Sequence, residues 1–325
     1  MARQQYLPRT TVSSFEFLSR FPNEEIARKH IEQIRWKGQI VCPYCGKQEI
    51  SPRREAGYYR CRKCRQIFTV RVGTIFHRSH IPLHKWLYAI YLVMTSRKGI
   101  SSVQLAQELG IRQGSAWYLL QRIREALGRN DDDTNGGTGD GQDFLKGIVE
   151  IDEVYLGGKN ENRHESRQLS PEKVHGLKTV VVGMRERGSG RTRGIIVGNV
   201  TGRTLTGIIY ENVETDSVVC TDDFKGYSGI TSDFTRMVVN HSAKVYVDGI
   251  AHTNGIESFW AVLKRGFYGV FHWFSSKHTQ RYVNEFAFRM NKGSVRRHSY
   301  ERIDSALIKM FKGRTTYNEI VSVTL

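Results

Sequence analysis

The stretch 147–158, GIVEIDEVYLGG, decides how the second half of this chain folds. Its apolar residues read as a buried strand, closed by Gly157 and Gly158, and the strand carries Asp152 with it. Side chains alternate along a strand, so Asp152 and its neighbour Glu153 point to opposite faces, and one of them would face a site. An acid on a buried strand calls for partners, and the sequence downstream offers several.

Working outward, LKTVVVGMRER (177–187) and RTRGIIVGNV (191–200) read as two further strands joined at GSG, a hairpin turn. TGRTLTGIIYENV (201–213) reads as a helix, SVVCTDDFKGY (217–227) as a strand ending at Asp222, and RMVVNH (236–241) as a fifth strand. TNGIESFWAVLKRG (253–266) and KHTQRYVNEFAFRMN (277–291) have helical apolar spacing. That order is the order of a ribonuclease-H-like α/β domain. In such a domain the first and fourth strands are neighbours, which brings Asp152 to Asp222, and a later helix offers Glu257 as the third carboxylate. Each acid has a structural alternative. Asp223 competes with Asp222 by the same alternation, and Asn254 with Glu257 three residues later fits an N-cap and its capping-box partner. Cys220, inside the fourth strand, reads as core.

Charge says what this half would handle. The 325 residues include 49 Lys and Arg against 32 Asp and Glu, a formal net charge of +17. Such a chain holds polyanions with a salt-sensitive affinity. Carboxylates beside a bound phosphate would repel it unless divalent cations stood between, so the acids and the basic surface together point to metal-assisted chemistry on nucleic acid. With 39% hydrophobic and 25% charged residues the composition is that of globular protein. The start MARQQYLPRT lacks the apolar core of a signal peptide, and no apolar run reaches the length of a membrane span. A cytoplasmic protein without a membrane partner is expected.

The first half carries different chemistry. Cys42 and Cys45 in VCPYCGK, then Cys61 and Cys64 in YRCRKCRQ, form two C-x-x-C knuckles fifteen residues apart. This spacing suits a four-thiolate, structural Zn2+ site, and the flanking GYYRCRKC and QIFTVRVGTIF read as the short strands of a zinc ribbon. Arg53, Arg54, Arg60, Arg62, Lys63 and Arg65 make it basic. From Pro82 onward, LHKWLYAIYLVMTS, SSVQLAQELG and QGSAWYLLQRIREALG read as three helices, with Ser101 or Ser102 capping the second and Gly110 closing it. The order is that of a helix-turn-helix. Val103, Leu105, Ala106 and Leu109 would pack on Ala116, Leu119, Leu120 and Ile123, leaving Arg112, Gln113, Ser115 and Arg122 free for DNA in the major groove. RNDDDTNGGTGDGQDF (129–144) breaks composition and reads as a linker. Asp131, Asp133, Asn135 and Gly136 imitate a calcium loop, but the twelfth position is Gln142 rather than Glu.

The expected organisation is thus multidomain α+β. It comprises an N-terminal segment with zinc ribbon over 1–80, a helix-turn-helix domain over 81–128 and a linker over 129–146. A catalytic domain over 147–292 and a C-terminal extension over 293–325 follow.

VEIDEVYLGGK, VCTDDFKGY, VVNHSAKVYVDGIAHTNGIESFWAVLKRGFYG and KHTQRYVNEFAFRMN, with KGISSVQLAQELGIRQGSAWYLLQRIREAL ahead, resemble bacterial insertion-sequence DDE transposases. More narrowly they resemble the ISXO-like IS1595 family, related to Merlin transposases, over roughly residues 15–292. The resemblance implies a retroviral-integrase-type ribonuclease-H-like core with Asp152, Asp222 and Glu257 as catalytic acids. Some relatives carry Asn at the third position, which makes Asn254 the rival. It further implies terminal-repeat and target DNA as partners, a homodimer or higher oligomer at the synapse, and association with a bacterial nucleoid. Two Mg2+ or Mn2+ ions on the three acids, about 4 Å apart, would bracket the scissile phosphate. Water would attack first, and the freed 3′-hydroxyl would then attack the target. Lys264 and Arg265 on the Glu257 helix could hold phosphates. Two other functions fit parts of the chain: a sequence-specific regulator with an inert third domain, and a structure-selective nuclease. The three acids speak against the first and the helix-turn-helix against the second.

Overall fold

The computed structural model describes residues 10–129, 144–157, 164, 178–230, 233–239 and 252–322. The calcium-loop imitation and the centre of the linker lie outside the described residues. The chain divides into two compact units: residues 1–135 with 292–323, and residues 136–291 with the last two.

The first unit starts with α1 (Ser14–Arg20), whose capping box of Ser13 and Glu16 satisfies both orphan donors, and α2 (Glu24–Trp36), capped by Asn23. Three short strands follow, β1 (Ile50–Pro52), β2 (Tyr59–Cys61) and β3 (Ile67–Phe68), paired antiparallel in chain order. Then come α3 (Leu83–Thr95), α4 (Ser102–Leu109) and α5 (Gln113–Leu127). Ser101 caps α4 through Gln104 N, and Gly110 ends it in the left-handed region at φ 57°. The unit is closed by α9 (Ser299–Met310) and α10 (Tyr317–Val321), from the far end of the chain. Phe17, Ile31, Ile75, Phe76, Trp86, Leu87, Ile90, Ile303, Leu307 and Met310 are all buried here. Residues that the sequence presents as an extension are therefore part of this core.

The second unit is built on one sheet. β4 (Ile148–Leu156), β5 (Thr179–Glu186) and β6 (Thr192–Val197) form an antiparallel meander. After α6 (Gly202–Asn212), β7 (Val218–Asp222) returns parallel to β4, and β8 (Thr235–Val239) pairs parallel to β7. The spatial order is β6-β5-β4-β7-β8. Alternation along the strands feeds two cores. On one face Val149, Ile151, Val182 and Met184 pack with Leu205 and Ile209 of α6. On the other, Val154, Leu156 and Val181 meet Ile256, Phe259, Trp260 and Leu263 of α7 (Asn254–Gly266) and Val283 and Phe286 of α8 (Ser276–Met290).

Candidate catalytic and metal-binding sites

Four cysteines of the first unit converge. Their sulfurs all lie within 4.8 Å of one another, with Cys42–Cys64 and Cys45–Cys61 at 3.6 Å. A tetrahedral ion with Zn–S bonds of about 2.3 Å separates its sulfurs by roughly 3.8 Å, so the cluster fits a structural zinc ion. Both knuckles turn the same way: Gly46 and Arg65, each following the second cysteine, have φ of 71° and 61°. The backbone N–H of Cys64 helps draw the Cys61 thiol down to about 7, while the Cys64 thiol is pushed up to about 12, so it is the convergence of the four sulfurs that supports the metal.

The expected DNA-reading residues divide. Arg112, Gln113 and Ser115, around the start of α5, are exposed, and Gln113 Nε2 donates to Ser102 Oγ at 2.8 Å. Arg122 is the correction. It is only 3% exposed, lies over the rings of Trp86 and Tyr118, and donates from Nη2 to the His77 carbonyl at 2.9 Å. A guanidinium committed to those partners is a packing group. Val103 reverses the other way, 57% exposed where core was expected.

In the second unit the acids are placed by strand register. β4 and β7 run parallel with Glu150 opposite Cys220, so two residues further along Asp152 and Asp222 reach the same level and face. Asp152 turns toward α7, where Trp260 Nε1 donates to its Oδ2 at 3.0 Å, while Glu153 turns to the opposite face and accepts from Tyr227 Oη at 2.8 Å. Phe224 N holds Asp222 Oδ1 at 3.1 Å. Gly183, opposite Asp152 on β5, makes the tryptophan contact possible, because a Cβ there would stand 2.4 Å from the indole.

Glu257 sits on the exposed side of α7, and Thr253 Oγ1 donates to its Oε1 at 2.8 Å. The capping-box alternative does not form: Thr253, not Asn254, precedes the helix, and it makes no side-chain cap. Instead Glu150, 1% exposed, accepts from Ile256 N at 2.9 Å while pairing with Arg187 at 3.0 Å and His252 at 3.2 Å. Sequence reading passes over Glu150. The signal available was Gly255, where a Cβ would meet Glu150 Oε2 at 2.6 Å.

The charges of Asp222 and Glu257 reach Asp152. Burial, the largest cause, pushes Asp152 up to about 6, and the charges of Asp222 and Glu257 add to the rise. Burial likewise pushes Glu153 to about 7, with Asp222 and Asp152 contributing. Asp152 is hydrogen-bonded by neutral donors, Trp260 and the Glu153 amide. A half-buried carboxylate within Coulombic range of two others offers the hard oxygen donors a divalent cation takes. Among the described residues only the four cysteines already lie within 4.8 Å of each other; the acids are in Coulombic range without being drawn that close. Lys264 and Arg265 are exposed on the last turn of α7.

Residues 144–291 match the family model described as ISXO2-like transposase domain, and residues 22–66 match the transposase zinc-ribbon domain. An uncharacterized protein in transposable element ISH50 of Halobacterium salinarum is 27% identical over 263 residues, covering 75% of this chain and 83% of its own. An uncharacterized transposase-like protein of Haemophilus influenzae is 33% identical over 103 residues, 31% of this chain and 82% of its own. A chain from the cryo-EM structure of the simian T-cell lymphotropic virus intasome with PP2A regulatory subunit B56 gamma has a TM-score of 0.26 at 10% identity, covering 63% of this chain and 64% of that one, and carries no weight for the fold. No helix among the described residues is long and apolar enough to cross a membrane.

Proposed function

The chain belongs to the ISXO2-like, IS1595 family of insertion-sequence transposases, and from that premise we propose that it cuts the ends of its element and joins them to target DNA, with Asp152, Asp222 and Glu257 as catalytic acids. The observation that carries the assignment is the parallel β4–β7 register, which levels Asp152 with Asp222 on the face that α7 covers. The strand order and the crossover through α6 support a ribonuclease-H-like reading of the domain.

The three carboxylates would hold Mg2+ or Mn2+, which when bound supplies charge neutralisation and nucleophile activation for in-line displacement at a phosphate. The chain's own part is orientation. Trp260 fixes the Asp152 carboxylate, the Phe224 amide fixes Asp222, and Thr253 restrains Glu257. Near Asp222, the Arg236 guanidinium donates to the Asp222 carbonyl at 3.1 Å and adds positive charge beside the acids. In the first unit, Arg112, Gln113 and Ser115 of a helix-turn-helix would read the terminal repeats, and the exposed Arg53, Arg54, Arg60, Arg62, Lys63 and Arg65 of the ribbon would hold phosphates.

The test uses the full chain, Mg2+ and duplex carrying the inverted repeat that flanks its gene. Asp152→Ala, Asp222→Ala and Glu257→Ala should each bind that duplex with near wild-type affinity and neither cut nor join it. Normal cutting by all three would remove the catalytic assignment. Cutting by Glu257→Ala alone, with loss in Asn254→Ala, would move the third contact to the first residue of α7. Arg112→Ala or Gln113→Ala should weaken repeat DNA more than random DNA, by about 1–3 kcal/mol in discrimination.

A further inference from the structure

Beyond Glu257, α7 does not end as helices usually do. It passes through a turn of π-helix, Phe267–Phe271, into His272 at φ 56° and ψ −34°, and the Trp273 amide donates back to the Phe271 carbonyl at 2.6 Å. This is a three-residue turn in its rarer, strained hand, on a residue that is not glycine. Strain of this kind persists only where the surroundings enforce it. They do so here with rings. Phe267 meets Phe274 edge-on at 4.7 Å, Phe274 stacks on Tyr282 at 4.2 Å, and Phe271 packs against Tyr282 at 4.9 Å.

The consequence is an outward display. With Phe267, Phe271 and Phe274 committed to the core side, Tyr268 is 52% exposed and Trp273 67% exposed. The most exposed tryptophan among the described residues thus directly follows the strained His272 turn. The intervening sequence is cationic: between Glu257 and Glu285 it has Lys264, Arg265, Lys277 and Arg281 and no Asp or Glu. A large ring with a free π-face in a cationic stretch is what an unstacked nucleobase recognises, because stacking accepts any base while the cations hold its phosphates.

We propose that Trp273, braced by the π-turn and the aromatic cluster beneath it, is a stacking platform for an unpaired base of DNA bound by this unit. The proposal rests on the transposase reading for its nucleic acid. A base becomes unpaired when a duplex end frays or is cut, so the platform would act on DNA ends rather than on uninterrupted duplex. Tyr268, one turn after Lys264, offers a second ring for a neighbouring base.

The probe is the terminal-repeat duplex with a short 3′ overhang containing 2-aminopurine, titrated with the zinc-loaded full chain without added Mg2+ or Mn2+, so that stacking is read without cleavage. Wild type should quench the fluorophore. Trp273→Ala and Trp273→Leu should lose the quench and about five- to a hundredfold in affinity for overhang DNA, with affinity for blunt internal duplex within twofold of wild type. Trp273→Phe should recover most of both. Unchanged overhang binding in Trp273→Ala would overturn the platform, as would equal weakening on every DNA, or full function in Trp273→Leu. A fall in oligomeric state with DNA binding intact would assign Trp273 to contact between copies of the chain and equally overturn it. If wild type stacks on the overhang but never cuts with Mg2+, the catalytic reading fails and the platform stands; if it cuts without quenching, the platform fails alone.

Discussion

The surroundings of Asp152 disfavour its charged form. Its carboxyl is pushed from 3.8 to about 6, chiefly by burial and further by Asp222 and Glu257. Between those values the folded chain binds a proton more readily than the unfolded one, so stability is highest below the lower value and is lost as pH rises through the upper. At pH 8 the loss is complete, on the order of 2–3 kcal/mol. Asp152→Asn should therefore melt several degrees above wild type at pH 8 without added Mg2+ and close to it at pH 4, measured by calorimetry. Mg2+ should narrow the difference at pH 8 by stabilising wild type; equal melting at both pH values would show that burial does not strain this carboxylate. The four cysteines are legible in the sequence because their paired C-x-x-C spacing carries its chemistry, whereas alternation alone leaves Asp152 beside Glu153 and Asp222 beside Asp223, and the choice between them comes from the family resemblance. Arg122 and Glu150 are not legible, for the same reason in each case. Whether a charged side chain points to solvent or is buried depends on what another element brings to it. Trp86 and Tyr118 enclose Arg122, and the start of α7 arrives over Glu150.

The helix α7 is positioned from outside itself. It lacks a side-chain cap of its own, and the donor at Ile256 is satisfied by Glu150, two residues before Asp152 on β4. A carboxylate at a helix N-terminus is favoured by the exposed amides there, and the Arg187 guanidinium offsets its burial. One strand therefore sets both Asp152 and the helix that carries Glu257. Glu150→Ala should cost on the order of 3 kcal/mol, since it strips the helix start of its acceptor and Arg187 of its buried carboxylate. Thermal unfolding checks the stability, and the Mg2+ concentration for half-maximal cleavage checks the positioning. An unchanged melting temperature would show that the helix start is held by its packing instead. Strand and helix order in this unit is legible because glycines and apolar periodicity punctuate it. The docking of α7 is not, because it depends on Gly183 and Gly255 leaving room for Trp260 and Glu150, contacts between segments far apart in sequence.

At the scale of the molecule the second unit is an insertion: the first unit comprises residues 1–135 and 292–323, on both sides of it in sequence. The returning helix α9 is a core element. Arg302, fully buried, donates from Nη1 to the Met94 carbonyl at 2.8 Å, and the Met310 carbonyl accepts from the Ile75 amide at 3.1 Å. Ile303, Leu307, Met310 and, on α10, Ile320 are at most 1% exposed. Removing these four side chains from the core forfeits roughly 6–12 kcal/mol at about 1.5–3 kcal/mol each, which rivals the whole stability of an ordinary domain. A chain ending at Lys292 should therefore keep the sheet of the second unit and lose the first. Hydrogen exchange would show protection retained over 148–156 and 179–197 but collapsed over 24–36 and 83–95, with binding to terminal-repeat DNA lost although Arg112 and Gln113 are still present. Protection persisting in α3 would mean that the ribbon and the three central helices fold without their C-terminal closure, and that residues 293–325 are an appendage after all.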